Sequence, residues 1–226
     1  MKFRNIKTLV AGLALCVSSG AYAGLINIVD GTSGDIPNGA TNNGLVPVYG
    51  SSAARDGFFG STIELSGSGT GYHLTFSFLG SEAGFKNDFN FGTGELFTTG
   101  GGTSGSGVWG DLGSYSTIAS SGLINFSFDF NSDSGNIANQ TGLGGNPDDS
   151  EGKAGPNFFA SCDSDGLLRS CDSIVLWLDD AGAGPDDNHD DMAIRVTAAR
   201  LPEPSSIALI GLGLLGIGFA RRRKKA

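Results

Sequence analysis

Tyr72-His73-Leu74-Thr75-Phe76-Ser77-Phe78 alternates apolar and polar side chains. Successive side chains of an extended chain point to opposite faces. Leu74, Phe76 and Phe78 therefore share one face, and His73, Thr75 and Ser77 the other. This period of two marks a strand with a dry side and a wet side. Leu123-Ile124-Asn125-Phe126-Ser127-Phe128-Asp129-Phe130 repeats the pattern, with Ile124, Phe126, Phe128 and Phe130 expected inward. Met192-Ala193-Ile194-Arg195-Val196-Thr197-Ala198 alternates again. Ser173-Ile174-Val175-Leu176-Trp177-Leu178 is almost continuously apolar, which suits a central strand covered on both faces. Shorter candidate strands lie at 25–29, 46–49, 62–65 and 95–98. Between them stand Gly, Ser, Asn and Asp clusters such as 99–107, which supply the positive-φ positions of turns. The body shows neither a helical stripe nor a repeat of fixed period. The expected fold is all-β: an antiparallel β-sandwich, jelly-roll-like.

The two ends differ from this body. Lys2, Arg4 and Lys7 precede an apolar run over 9–17, and small residues follow as far as Ala21-Tyr22-Ala23. A basic start, an apolar middle and an A-x-A ending define a secretory signal peptide, with cleavage expected after Ala23. The apolar run is short for an uncleaved anchor, since a spanning helix needs about 20 residues. Leu13-Ala14-Leu15-Cys16 approaches a lipoprotein box, but Leu15 stands where a small residue is wanted. At the other end come Pro202-Glu203-Pro204, an apolar run over 207–220 and the cations Arg221, Arg222, Arg223, Lys224 and Lys225. The run is short and glycine-rich for a membrane span. The cations behind it act as a stop at the cytoplasmic face. Gly211, Gly213 and Gly216 also fit a dinucleotide fingerprint, but no strand precedes them and no βαβ unit surrounds them.

Pro-Glu-Pro, apolar run and basic tail, in that order, resemble the PEP-CTERM sorting signal of Gram-negative bacteria. The resemblance covers residues 201–226 and implies nothing about the fold upstream. It implies export, transient anchoring in the inner membrane, and processing by an exosortase that reads Pro202, Glu203 and Pro204. It also implies a cell-surface or extracellular destination among exopolysaccharide or other biofilm matrix material. The expected organisation is a signal peptide at 1–23, a β-sandwich ectodomain at 24–200 and the sorting signal at 201–226.

The overall charge of −9 conceals a more acidic body. Eight of the 14 basic residues lie in the two terminal signals, with only Glu203 of the 23 acids. The remaining 6 basic and 22 acidic residues give 24–200 a net charge of −16. Such a body repels nucleic acid and attracts cations. Cys16 falls in the signal, which leaves Cys162 and Cys171 for the body. An even number of cysteines in an oxidising compartment points to a disulfide. The alternatives are two free thiols or half of a metal site.

The strongest chemical constellation joins two of the strands. Asp179-Asp180-Ala181-Gly182-Ala183-Gly184-Pro185-Asp186-Asp187-Asn188-His189-Asp190-Asp191 crowds six carboxylates into thirteen residues. Calcium takes six to eight oxygens at flexible geometry, so Asp179, Asp180, Asp186, Asp187, Asn188, Asp190 and Asp191 are the candidate ligands. Asp186, Asn188 and Asp190 match the start of an EF-hand loop, but Asp191 and Thr197 fail its later positions. The alternative is a solvated turn whose Asp side chains cap backbone amides. Two further acidic turns, 163–166 and 146–152, read as turns before they read as ligands. Segment 81–89 reads as a loop stapled to the core by Phe85 and Phe89, with a binding loop as the alternative.

Catalysis has little support. His73 sits mid-strand, His189 lies in the acidic loop, and neither has a nucleophile motif nearby. The expected function is a non-enzymatic surface or matrix protein, with calcium as its candidate stabiliser. A calcium-dependent carbohydrate-binding module using Trp109 and Tyr115 is one alternative, and a secreted hydrolase is another. Asn125 and Asn139 begin N-glycosylation triplets, which carry no weight in a bacterial secretion context.

Overall fold

The computed structural model describes residues 24–36, 55–67, 71–100, 108–130, 135–139, 156–164, 166–180, 189–201 and 210–217, with backbone only at 108–111. The expected signal peptide, the strand at 46–49, the turn at 146–152 and Pro202, Glu203, Pro204, Arg221, Arg222 and Arg223 lie outside these residues. Among the described residues the chain forms antiparallel β-sheet, with one short helix over 210–217. No helix among them is long and apolar enough to cross a membrane.

The strands are β1 (Ile26–Val29), β2 (Thr32–Ile36), β3 (Arg55–Phe59), β4 (Thr62–Leu65), β5 (Tyr72–Ser81), β6 (Asp88–Phe91), β7 (Gly94–Thr98), β8 (Val108–Ala119), β9 (Gly122–Leu123), β10 (Phe126–Phe130), β11 (Gly135–Ala138), β12 (Asn157–Cys162), β13 (Ser170–Cys171), β14 (Ser173–Asp179) and β15 (Met192–Arg200). They form a seven-stranded sheet in the order β2-β3-β12-β14-β15-β5-β8. Two four-stranded sheets run β13-β1-β4-β9 and β11-β10-β6-β7. β14, the apolar run ending at Trp177-Leu178, sits fourth in the large sheet, as a strand with two buried faces must.

One face of the large sheet supplies Leu74, Phe76, Phe158, Ile174, Leu176, Ile194 and Val196 to a single apolar cluster. The same cluster takes Ile26, Ile28, Ile63 and Leu65 from one small sheet and Phe89, Phe126, Phe128 and Ile137 from the other. Rings interlock across the sheets, with Phe76 and Phe91 at 4.9 Å and Phe126 and Phe158 at 5.5 Å. Such pairs contribute about 0.5–1.5 kcal/mol each beyond their buried area. The opposite face carries a second cluster of Ile36, Phe59, Leu79, Phe159, Val175, Trp177 and Ala193. At Gly57 a Cβ would lie 2.5 Å from the Ala160 carbonyl oxygen and 2.5 Å from the Phe159 ring, so only glycine lets β3 pack this closely on β12.

The alternating segment 123–130 is not one strand. β9 pairs with β4, and β10 pairs with β6, so the chain turns a corner at Ile124-Asn125 and changes sheet. Ile124, Phe126 and Phe128 are buried as expected, whereas Phe130 is only half-buried. Asn139, just after β11, closes the corner. Its Oδ1 accepts from the Ile63 amide at 2.8 Å, and its Nδ2 donates to the Ile63 and Ile124 carbonyls, both at 2.7 Å. The side-chain amide stands in for a strand residue between the two small sheets. Buried and fully engaged, it has no free nitrogen to carry a glycan.

Cys162 and Cys171 form a disulfide. It ties the end of β12 in the large sheet to β13 in a small one. Arg169, within the bridged loop, lies over the Phe58 ring at 3.9 Å and donates to the Ile28 carbonyl at 3.2 Å. The loop is thereby sewn to β1 as well. Of the two expected core staples in 81–89, Phe89 is fully buried, but Phe85 is 49% exposed.

Candidate functional site

The register of β14 against β15 builds the site. Leu178 pairs with Met192, so the residues beyond them, Asp179-Asp180 and Asp190-Asp191, meet at the mouth of the connecting loop. The Asp191 amide donates to the Leu178 carbonyl at 3.1 Å. The Asp180 amide donates to Asp191 Oδ2 at 2.7 Å. Four aspartates separated by the loop are thus held together by main-chain geometry. Asp179, Asp180 and Asp190 are buried and Asp191 is nearly so. Asp186, Asp187 and Asn188 lie outside the described residues.

A fifth residue completes the arrangement, and it comes from 81–89. Asn87 Nδ2 donates to Asp180 Oδ2 at 2.7 Å and reaches the Asp191 carbonyl at 3.4 Å. Two acceptors fix the orientation of the amide. Its Oδ1 is buried and has no hydrogen-bond partner. Asn87 is itself clamped, because its amide donates to Thr99 Oγ1 at 2.7 Å and its carbonyl accepts from the Thr99 amide at 2.8 Å. The Glu82 amide donates to the Asp190 carbonyl at 2.8 Å, which lays this segment along the C-terminal end of the acidic loop. Beside it, Asp88 is paired through Oδ2 with Lys86 at 2.7 Å, while its buried Oδ1 has no partner.

The electrostatics follow from burial. Burial pushes the Asp191 carboxyl up to about 8, and repulsion from Asp180 and Asp179 adds to it. Burial also raises Asp180, although hydrogen bonds it accepts from Asn87 and Asp191 oppose the rise. Two carboxyls that resist ionisation side by side share a proton or take up a cation. The oxygens at hand are those of Asp180, Asp191 and Asn87, hard donors suited to calcium. Among the described residues no group of three or more His, Cys, Asp or Glu side chains converges as a metal cluster.

The remaining sequence candidates separate. His189 is fully buried at positive φ, with Nε2 at 2.7 Å from Asn157 Oδ1 and its ring 5.2 Å from that of Phe59. It anchors the loop in the second apolar cluster. His73 is exposed on the wet face of β5. Tyr115 is 42% exposed on β8, at the edge of the large sheet. Trp109 lies on the same strand, with its side chain outside the described residues.

Fold and site define an antiparallel β-sheet protein with aspartates gathered at one strand end. The family model for the PEP-CTERM protein-sorting motif matches residues 201–224. The chain therefore carries the PEP-CTERM sorting motif, which supports export to the cell envelope or surface and implies exosortase as the processing enzyme. No curated protein and no solved structure matches it.

Proposed function

We propose that this chain is a non-enzymatic surface or matrix protein whose acidic body is locked by calcium once it has left the cytoplasm. The observation that carries the reading is the sorting motif at 201–224, which follows a body made of β-sheet. The body is read as a jelly-roll-like sandwich, because one face of the large sheet and both small sheets feed the same apolar cluster. Exosortase removes the tail beyond Pro202-Glu203-Pro204, and exopolysaccharide or other matrix material is the partner. That last element rests on the sorting signal alone. Calcium is favoured by the partnerless Asn87 Oδ1 beside two carboxyls that resist ionisation. Asp180, Asp191 and Asn87 would hold the ion, together with the Asp186-Asp187-Asn188 stretch that joins them in sequence. Bound there, calcium would tie the end of β14 to the start of β15 and to the segment before β6.

The test is thermal melting of the exported protein with calcium and with chelator. Calcium at about 100 times its dissociation constant stabilises by about 2.7 kcal/mol. For a chain of this size that raises the midpoint by roughly 5–10 °C. An unchanged midpoint removes calcium from the proposal. Intact mass of the same protein tests the rest: the expected species lacks Met1–Ala23 and the basic tail, and retention of Arg221–Lys225 contradicts processing.

A further inference from the structure

The sheet edges differ sharply in kind. Among the described strands the edges are β2 and β8 of the large sheet and β13, β9, β11 and β7 of the small ones. Five of these are short: β2 and β7 have 5 residues, β11 has 4, and β13 and β9 have 2 each. β8 has 12. An edge strand presents a row of unpaired amides and carbonyls, and proteins blunt such edges with shortness, charge or proline. Residues 112–119 of β8 read Leu-Gly-Ser-Tyr-Ser-Thr-Ile-Ala, with no charge and no proline. The register shift against β5 lies before Gly113, so 113–119 run as a regular ladder. Residues 112–116 are exposed in succession, on both faces of the sheet, so the edge is open. On a body of net charge −16, this is a long uncharged margin.

Its side chains are self-complementary in one register. Two copies related by a twofold axis perpendicular to the sheet pair residues whose numbers have a constant, even sum. Centred on Tyr115, that rule places Tyr115 against Tyr115 of the second copy. Leu112 then meets Ile118, Ser114 meets Ser116, and Gly113 meets Thr117. The three large apolar side chains exposed on this edge are Leu112 at 45%, Tyr115 at 42% and Ile118 at 67%. All three gain an apolar cross-strand partner at once. Leu112 and Ile118 share the face of Ser114 and Ser116, and Tyr115 lies on the other. Directly opposed aromatic and branched pairs are the units that stabilise a sheet.

We propose that β8 is a self-association edge, through which two copies of this protein pair antiparallel about Tyr115 and join their large sheets into one. The inference rests on the backbone edge and side-chain pattern of β8, and is independent of calcium at Asp180 and of any matrix partner. Because the two bodies are acidic, pairing strengthens as salt screens them.

The register makes the test specific. Directly opposed Cβ atoms lie about 4.5–5.5 Å apart, near disulfide reach. The full chain carrying Tyr115→Cys is expected to run as a covalent dimer on a non-reducing gel after export. Ser114→Cys alone is expected to stay at the baseline set by the parent chain. Ser114→Cys co-expressed with Ser116→Cys is expected to cross-link. In the Tyr115→Cys background, Ser114→Asp with Ser116→Asp sets like charges face to face and should cut the cross-link severalfold. Ser114→Asp with Ser116→Lys sets opposite charges face to face and should restore it. A Tyr115→Cys chain that is protease-resistant yet monomeric overturns the proposal. Equal cross-linking of Ser114→Cys and Tyr115→Cys, or indifference to the charge swap, overturns it too.

Discussion

Asn139→Ala tests the corner that joins the two small sheets. The substitution deletes three buried hydrogen bonds, to the Ile63 amide and to the Ile63 and Ile124 carbonyls, at 2.7–2.8 Å. A net intramolecular hydrogen bond contributes about 1 kcal/mol, and a buried group left without a partner costs about 1–3 kcal/mol. The Ile63 carbonyl keeps a second donor, the Ile124 amide at 3.1 Å, which softens the loss there. The Ile124 carbonyl likewise keeps the Phe126 amide at 2.9 Å, so it is the Ile63 amide that has no such reserve in the corner. The expected destabilisation is therefore roughly 2–3 kcal/mol. At about 2–4 °C per kcal/mol for a chain of this size, melting falls by roughly 5–10 °C. Asn125→Ala is the control, because that side chain is exposed and belongs to the other glycosylation-type triplet; its expected effect is within about 0.5 kcal/mol. The assay is thermal unfolding of parent, Asn139→Ala and Asn125→Ala by far-ultraviolet circular dichroism. Asn139→Ala melting within a degree or two of the parent would refute the reasoning, for then the amide does not splice the sheets.

Three more outcomes are expected. Asp191 has a folded value near 8 against an ordinary 3.8, so the native state keeps a proton that the unfolded chain releases. Metal-free stability is then full below about pH 4 and declines as pH rises through 8; denaturant midpoints in chelator from pH 4 to 9 should show the decline, Asp191→Asn should flatten it, and a flat parent profile counts against the buried pair. Calcium selects the ionised pair, so its affinity should rise with pH over the same window, and Asn87→Leu should abolish the calcium-dependent rise in melting temperature; a titration that is pH-independent or survives Asn87→Leu places the ion elsewhere. Reducing Cys162–Cys171 opens a small loop and should cost about 2.5–3 kcal/mol, read as a lower denaturant midpoint in reductant; Cys162→Ser with Cys171→Ser should match the reduced parent.

Period-two patterning was a dependable guide where a strand has one dry face and one wet face. It marked β5 and β15 directly, and continuous apolarity put β14 at the centre of its sheet. It failed at β12, whose six residues Asn157–Cys162 are all buried and so show no alternation. It failed again at β8, whose Gly and Ser residues read as turn material. It joined β9 to β10, because alternation of side chains continues through a corner at which the partner strand changes. At the site, the aspartates flanking the loop were legible as a charge cluster. Asn87 was not, because it stands 93 residues from Asp180 and meets it only in the fold.

By itself the sequence determined what depends on local composition and order. That covers the period-two strands, the acidic body, the pair of cysteines and the sorting signal, since each is written in neighbouring residues. The tertiary structure alone decided which strands became edges, where the chain changed sheet, and which side chain met the paired carboxyls. Those outcomes follow from the register of strands distant in sequence, and a one-residue slip would send every side chain of a strand to the other face.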